Sequence, residues 1–176
     1  MIVLNGDIDD NTIEDIVMWV LWWNKEDKDL PIEKRKKIKL YISSPGGNSF
    51  NGNILADVLV HSKTPVMGVV LDICASAAYI CLLGCHERVI FPFSVLLQHE
   101  GSISIENSRS KAKDTQAFMD EVEIDLKKFI LSRTSIDEEF YDKNYDVELW
   151  MNAKKAKQLG IAHKIIGEDC DLDYIL

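Results

Sequence analysis

Length, composition and charge limit what this chain can be. It has 176 residues, 47% hydrophobic and 28% charged, which predicts one globular domain over residues 1–176. Its net charge of −9 repels nucleic-acid phosphates, and its longest apolar run, near residues 73–83, is too short to cross a bilayer, so we expect neither nucleic-acid nor membrane partners.

Strand-like and helix-like segments alternate along the chain. Apolar runs predict strands near residues 2–4, 38–42, 66–71, 88–90, 94–98 and 163–166. Helical periodicity predicts helices near residues 12–23, 49–61, 77–84, 109–133, 136–143 and 152–159. This alternation implies an α/β fold with a largely parallel sheet and right-handed crossovers.

Two of the predicted helices carry apolar stripes. The stripe expected to face the core on helix 12–23 consists of Ile13, Ile16, Val20 and Trp23. Trp19 and Trp22 lie beside this stripe, where a partner subunit would cover them. On helix 109–133 the stripe consists of Ala112, Phe118, Val122, Leu126 and Phe129. A long helix with such a stripe predicts oligomerisation if it protrudes into water.

The segment Ser44-Pro45-Gly46-Gly47 follows the alternating strand pattern of residues 39–43 and precedes a helix. Glycine lets a second backbone or a substrate approach closely, and N–H groups at a helix start point outwards. Such a turn suits an oxyanion hole, although most Pro-Gly-Gly segments are plain turns.

Ser76 lies in a turn of small residues between a predicted strand and a predicted helix. A side chain at such a corner projects outwards, and the following N–H is free to bind an anion. These features suit a nucleophile. Serine is also a preferred helix N-cap, so a structural role remains the alternative.

A serine nucleophile needs a base, and His99 is the best placed of the four histidines. It follows the predicted strand 94–98, and active-site groups of open α/β sheets gather at the carboxyl ends of strands. His61 ends a helix, His86 lies in a polar turn and His163 lies in a helix-to-strand turn. A structural role for His99 fits its position equally well.

These motifs, in this order and spacing, resemble those of the proteolytic subunit of the Clp protease family. The resemblance also includes the first strand and turn, residues 2–9, and the segment Trp150–Ile161. It implies the crotonase-like ββα spiral of that family in a single peptidase domain, with a protruding handle at approximately residues 100–134.

The resemblance implies a serine endopeptidase that cleaves unfolded proteins and short peptides inside a ring-shaped chamber. Ser76 corresponds to the nucleophile, His99 to the general base, and Gly47 and Ala77 to the residues that supply the oxyanion N–H groups. No metal and no other cofactor is expected. Cys74 is an alternative nucleophile, although no activating cation lies next to it in the sequence.

The third member of the triad is expected shortly before Trp150. Glu148 lies where the family has its aspartate, two residues before the aromatic side chain, whereas Asp146 has the expected side chain but lies two residues earlier. In an extended segment both side chains point to the same side. We favour Glu148 and keep Asp146 as the alternative.

The resemblance also implies partners: a homo-oligomer of two stacked heptameric rings and an AAA+ unfoldase. The family's segment that forms axial loops precedes the first strand, and this sequence begins at that strand, so coupling to an unfoldase is left open. The residues after His99, from Glu100 to Ser104, also depart from the family pattern. We therefore expect altered substrate pairing and ring contacts.

Two further expectations concern compartment and class. The four cysteines have no disulfide-framework spacing, which favours free thiols in the cytoplasm. The alternative functions are a non-catalytic ring subunit or scaffold with an incomplete triad, and a crotonase-type acyl-CoA enzyme. The latter is disfavoured because Ser76 and His99 together have no role in it.

Overall fold

The computed structural model describes residues 2–101 and 108–176. Its strands are β1 (Ile2–Ile8), β2 (Ile38–Gly47), β3 (Val66–Ala75), β4 (Glu87–Ile90), β5 (Val95–Gln98), β6 (Leu149–Asn152) and β7 (Lys164–Ile165). Its α-helices are α1 (Asp10–Glu26), α2 (Ser49–His61), α3 (Ala77–Gly84), α4 (Arg109–Arg133), α5 (Glu138–Lys143) and α6 (Ala153–Gln158). Single 3₁₀ turns occupy Ile32–Lys34 and Leu172–Ile175. The mixed α/β fold predicted from the sequence is confirmed.

A mostly parallel sheet organises the fold, in the order β1-β2-β3-β4-β7. Strand β3 has two successive neighbours on one side: β4 pairs with Met67–Val70 and β5 pairs with Ile73–Ala75. Strand β6 runs antiparallel to β5. The end of β3 therefore lies directly beside β5, which brings the turn after Ala75 next to the chain that leads to His99.

The two faces of β3 contribute to two hydrophobic clusters, because side chains alternate along a strand. Val66 and Val70 belong to the larger cluster, which the helices cover, whereas Met67 and Val69 belong to a smaller one. The C-terminal residues Tyr174 and Ile175 pack on the smaller cluster. On α1, Ile13, Ile16 and Val20 are buried as predicted, and Trp19 and Trp22 are exposed.

Three sequence predictions need correction. Strands β1, β2 and β3 extend beyond the predicted ends, and Ser44–Gly47 belongs to β2 instead of forming a turn after it. Gly46 and Gly47 pair with Asp7 and Ile8 of β1, and this pairing holds the segment extended. The sequence analysis also missed β6, which is stabilised by its pairing with the distant strand β5.

Helix α4 begins and ends at the predicted residues. Leu126 and Phe129 pack against the larger cluster, whereas Phe118 is 55% exposed. The predicted handle also includes residues 102–107, which lie outside the described residues. None of the described helices is both long and apolar enough to cross a membrane.

Candidate active site

Ser76 occupies the corner between β3 and α3, in a strained backbone conformation. Its φ is 55°, and it is the only described residue other than glycine with a positive φ. This conformation costs about 1–3 kcal/mol and persists only where the surroundings enforce it. The Ser76 N–H donates to Leu97 O at 2.9 Å, which ties the corner to β5. Ser76 is the N-cap residue of α3, but its hydroxyl makes no capping hydrogen bond.

The Gly46–Gly47 backbone lies against this corner. A Cβ on Gly46 would lie 2.7 Å from Ala75 O and from Ser76 Cβ, and 3.1 Å from Ala77 N. A Cβ on Gly47 would lie 2.5 Å from Ile8 O. Both glycines also have positive φ angles, 101° and 145°. Only glycine therefore permits the close approach of residue 46 to the corner and of residue 47 to β1.

Helix packing fixes the start of α3 from the other side. A Cβ on Gly52 of α2 would lie 2.8 Å from Ala77 Cβ, so the two helices cross in close contact. Ala77 is the first residue of α3, where N–H groups have no acceptor within the helix. The Ala77 N–H is thus held at the corner beside Ser76.

A single cavity of about 510 Å³ brings four of the predicted residues together: Ser76, His99, Gly47 and Ala77 all line it. His99 directly follows β5, and Leu97 O of this strand accepts the hydrogen bond from the Ser76 N–H. The candidate nucleophile, the candidate base and the candidate oxyanion donors thus line one cavity, an arrangement that acyl transfer to a serine requires.

The two candidate acids do not line this cavity. The antiparallel ladder ends at the pair Gln98 and Leu149. Glu148 directly precedes this end of β6, whereas Asp146 lies in a turn, so the segment is not extended as the sequence analysis assumed. Its position next to the ladder favours Glu148. However, Glu148 Oε2 accepts a hydrogen bond from Trp150 Nε1 at 3.0 Å, and both carboxylates are exposed.

Cys74 is unsuited to act as the nucleophile. Its side chain is fully buried, and burial raises the pKa of its thiol well above the ordinary value. The reactive thiolate is therefore disfavoured at neutral pH. Among the described residues no cluster of three or more His, Cys, Asp or Glu side chains could hold a metal ion.

The sequence analysis missed several polar side chains in the cavity wall. Tyr79 of α3 and Gln98 of β5 line the cavity, as do Glu123 of α4 and Tyr145. The Tyr145 hydroxyl donates to Glu123 Oε2, and burial together with this carboxylate raises the pKa of Tyr145. A glutamine in an otherwise apolar strand and a tyrosine one helical turn after Ser76 were the available signals.

Comparison with known proteins identifies the family. The family model described as Clp protease matches residues 1–169. The chain is 29% identical over 166 residues to the ATP-dependent Clp protease proteolytic subunit 2 of Treponema denticola, covering 93% of this chain and 80% of the relative. It is 25% identical over 170 residues to the ATP-dependent Clp protease proteolytic subunit of Pleurastrum terricola, covering 96% and 84%. The chain belongs to the Clp protease family.

Proposed function

We propose that this chain is a serine endopeptidase of the Clp type, which hydrolyses unfolded proteins and short peptides with Ser76 as its nucleophile. The observation that carries the proposal is the strained Ser76 corner, which shares one cavity with His99. Strain of this kind is retained where function requires a fixed geometry. Family membership and the names of the relatives support the same class of activity.

In the proposed reaction, Ser76 Oγ attacks the peptide carbonyl while His99 takes its proton. The N–H groups of Gly47 and Ala77 donate to the oxyanion as the tetrahedral intermediate forms. His99 then protonates the leaving amine, and water hydrolyses the acyl-enzyme with His99 again as the base. Because the two donors belong to tightly packed backbone, they need no rearrangement when the charge develops.

Glu148 is the proposed acid that orients His99. It directly precedes β6, whose first residue pairs with Gln98, and its carboxylate accepts a hydrogen bond from Trp150 Nε1. This bond, and the position of both candidate acids outside the cavity lining, favour the alternative of a non-catalytic ring subunit. Asp146 is the second candidate acid, in the turn before β6.

We also propose that the chain assembles into stacked rings, two heptamers by analogy with the family. Family members usually form oligomeric rings and work with Clp ATPases. Phe118 and Ile124 on α4 are each 55% exposed. Trp19 and Trp22 on α1 are each about half exposed. Such surfaces favour burial between subunits. Three of the four cysteines are buried as free thiols, which fits a reducing cytoplasm.

A fluorophosphonate probe tests the nucleophile, because it labels only an activated serine. We expect the wild-type chain and the Ser110→Ala control, changed at an exposed serine of α4, to be labelled. Ser76→Ala should not be labelled and should hydrolyse fluorogenic peptides at least about 1000-fold more slowly. Labelling of Ser76→Ala would contradict the assignment. An unlabelled wild-type chain would favour the non-catalytic alternative.

Sedimentation and peptidase assays on the same samples test the assembly. We expect activity in the fractions that contain rings and its loss when the rings separate, because ring contacts support α4 and His99. A fully active monomer would contradict this coupling. Addition of a Clp ATPase and a folded substrate then tests whether an unfoldase assists this chain.

A further inference from the structure

The Ser44 side chain is bonded to the backbone that carries one of the proposed oxyanion donors. Ser44 belongs to β2 and is 0% exposed, and its Oγ accepts a hydrogen bond from the Gly46 N–H at 3.1 Å. Gly46 directly precedes Gly47, whose N–H is the proposed donor. The buried hydroxyl therefore holds the peptide group next to the one that must be aimed at the oxyanion.

The neighbouring strands hold this backbone less regularly than the rest of β2. The pairing of β2 with β3 ends at Ser44 and Cys74, so Gly46 lies beyond the last pair on that side. The pairing with β1 changes register between Asn5 and Asp7, just before Asp7 pairs with Gly46. At this irregular point of the sheet, the Ser44 side chain supplies an acceptor for the Gly46 N–H.

Two consecutive glycines need such a restraint, because glycine has more conformational freedom than any other residue. Gly46 and Gly47 have φ angles of 101° and 145°. Each peptide group is planar, so the bond to Ser44 orients the plane that ends at Gly46, and the next plane carries the Gly47 N–H. The close approach of Gly46 to Ser76 limits the movement of the shared Cα. The two restraints together direct the Gly47 N–H.

Resting on the proposed peptidase function, we propose that Ser44 is a positioning residue for the oxyanion hole. Its hydroxyl oxygen fixes the Gly46 amide and thereby keeps the Gly47 N–H aimed at the place where the oxyanion forms. The described lining of the cavity does not include Ser44, so it acts on the reaction through the glycine backbone. Oxyanion donors act in the transition state, so Ser44 affects kcat and leaves KM nearly unchanged.

Substitution of Ser44 tests this role through the kinetics of a fluorogenic peptide. Ser44→Ala removes the acceptor, and we expect kcat to fall about 10- to 100-fold with KM within about twofold, less than for a donor lost outright. Ser44→Thr keeps the hydroxyl and should restore most of kcat. Ser44→Cys offers only a weak sulfur acceptor and should lie between serine and alanine. Wild-type kcat in Ser44→Ala, or in Ser44→Cys if the alanine variant does not fold, would overturn the proposal.

The matched control is Ser62→Ala, at a buried serine that follows α2. The Ser62 hydroxyl accepts from Asn24 Nδ2 at 2.7 Å and donates to Thr64 O at 2.6 Å. Its substitution also removes buried hydrogen bonds, but Ser62 is not among the described residues that line the cavity. We therefore expect Ser62→Ala to retain wild-type kcat. An equal fall of kcat in both alanine variants would overturn the proposal, because any buried serine would then have the same effect.

A peptide aldehyde separates a positioning role from a merely structural one. Ser76 Oγ bonds to the aldehyde carbon, its proton passes to His99, and the carbonyl oxygen becomes the oxyanion. In Ser44→Ala we expect the inhibition constant to rise by the same factor by which kcat/KM falls. The Kd of an uncleaved peptide for Ser76→Ala should be the same with and without Ser44→Ala. Equal weakening of aldehyde and peptide binding would overturn the proposal.

Hydrogen exchange separates this inference from the peptidase function, because it needs no catalysis. We expect the segment with Gly46 and Gly47 to exchange at least about tenfold faster in Ser44→Ala and at the wild-type rate in Ser62→Ala. Faster exchange in a chain that cleaves no peptide would mean that the proposed function fails and the Ser44 restraint stands. Cleavage by the wild type, with kcat and exchange unchanged in Ser44→Ala, would mean that only this inference fails. Neither cleavage nor a change in exchange would overturn both.

Discussion

The two halves of the candidate catalytic apparatus are built differently. The Ser76 corner is made of backbone, held by Gly46, Gly47 and the start of α3, and its close approaches leave no room for a Cβ. The edge at His99 is made of side chains at strand ends, where His99 is half-buried and Glu148 is exposed and bonded to Trp150.

This difference follows from how much catalysis would lose if each kind of group were out of position. Oxyanion donors act only if they are already aimed when the charge develops, so packing must fix them in the folded chain. A carboxylate that orients a histidine can change rotamer at a small cost, and catalytic hydrogen bonds often tighten only in the substrate complex. The backbone of the corner is therefore fixed by packing within one chain, whereas a catalytic arrangement at His99 and Glu148 depends on side-chain rearrangement.

Placing a methyl group in the corner should have the largest effect. Gly46→Ala brings a Cβ to 2.7 Å from Ala75 O and Ser76 Cβ. We expect kcat/KM to fall by about 100- to 1000-fold, as when an oxyanion donor is lost. The control is Gly167→Ala. Gly167 also has a positive φ, 82°, but a Cβ added there would have nothing within 4 Å. It should cost about 1–2 kcal/mol of unfolding free energy and retain activity. A fully active Gly46→Ala would show that the corner tolerates movement.

Neutralising the acid at the edge should have the next largest effect. We expect Glu148→Gln to lower kcat by about 100-fold or more, because His99 loses its orienting charge. Asp146→Asn is the matched control, in the turn before β6, and should retain near wild-type turnover. The reverse pattern would assign the role to Asp146. Full activity in both variants would indicate a dyad or another acid.

Releasing Glu148 from Trp150 should have a smaller effect of opposite sign. Trp150→Phe removes the indole N–H that donates to Glu148 Oε2 and keeps an aromatic ring. We expect kcat to rise about two- to fivefold, the equivalent of one modest hydrogen bond. The double variant with Glu148→Gln should lose this gain. A lower kcat for Trp150→Phe alone would show that the indole instead supports the active position of Glu148.

Acidic pH should lower the free energy of unfolding through two histidines, His163 and His86, that lie outside both regions. Burial lowers the pKa of His163, and the Arg88 cation lowers it further. Burial and then the Arg133 cation likewise lower the pKa of His86. Both folded pKa values lie below the unfolded value of about 6.5, so this stability is complete above that pH and is lost as the pH falls through the folded values.

The test is the pH dependence of denaturant unfolding for His163→Asn, His86→Asn and the double variant. Each single variant should flatten the fall in unfolding free energy between about pH 7 and pH 5, and the double variant should flatten it most. An unchanged slope in the double variant would place the acid sensitivity elsewhere.

The sequence analysis was most successful where local signals are strong. Helices α2, α3 and α4 begin and end at the predicted residues, because periodicity and their flanking residues mark them. Strand β6 was missed, since its stability comes from pairing with β5. Tyr79 and Gln98 were not singled out, because the cavity that they line forms only when distant segments pack together.

By itself, the sequence determined the α/β class, the order of the elements other than β6, and the segments around Ser76 and His99. These depend on residue types and short-range spacing, which a chain carries without its partners in space. Only the tertiary structure decided that β2 continues through Gly47 and that Ser76 adopts a φ of 55°. These features depend on contacts between residues distant in the chain. Packing of β1, α2 and β5 around the Ser76 corner sets them, and no local pattern encodes it.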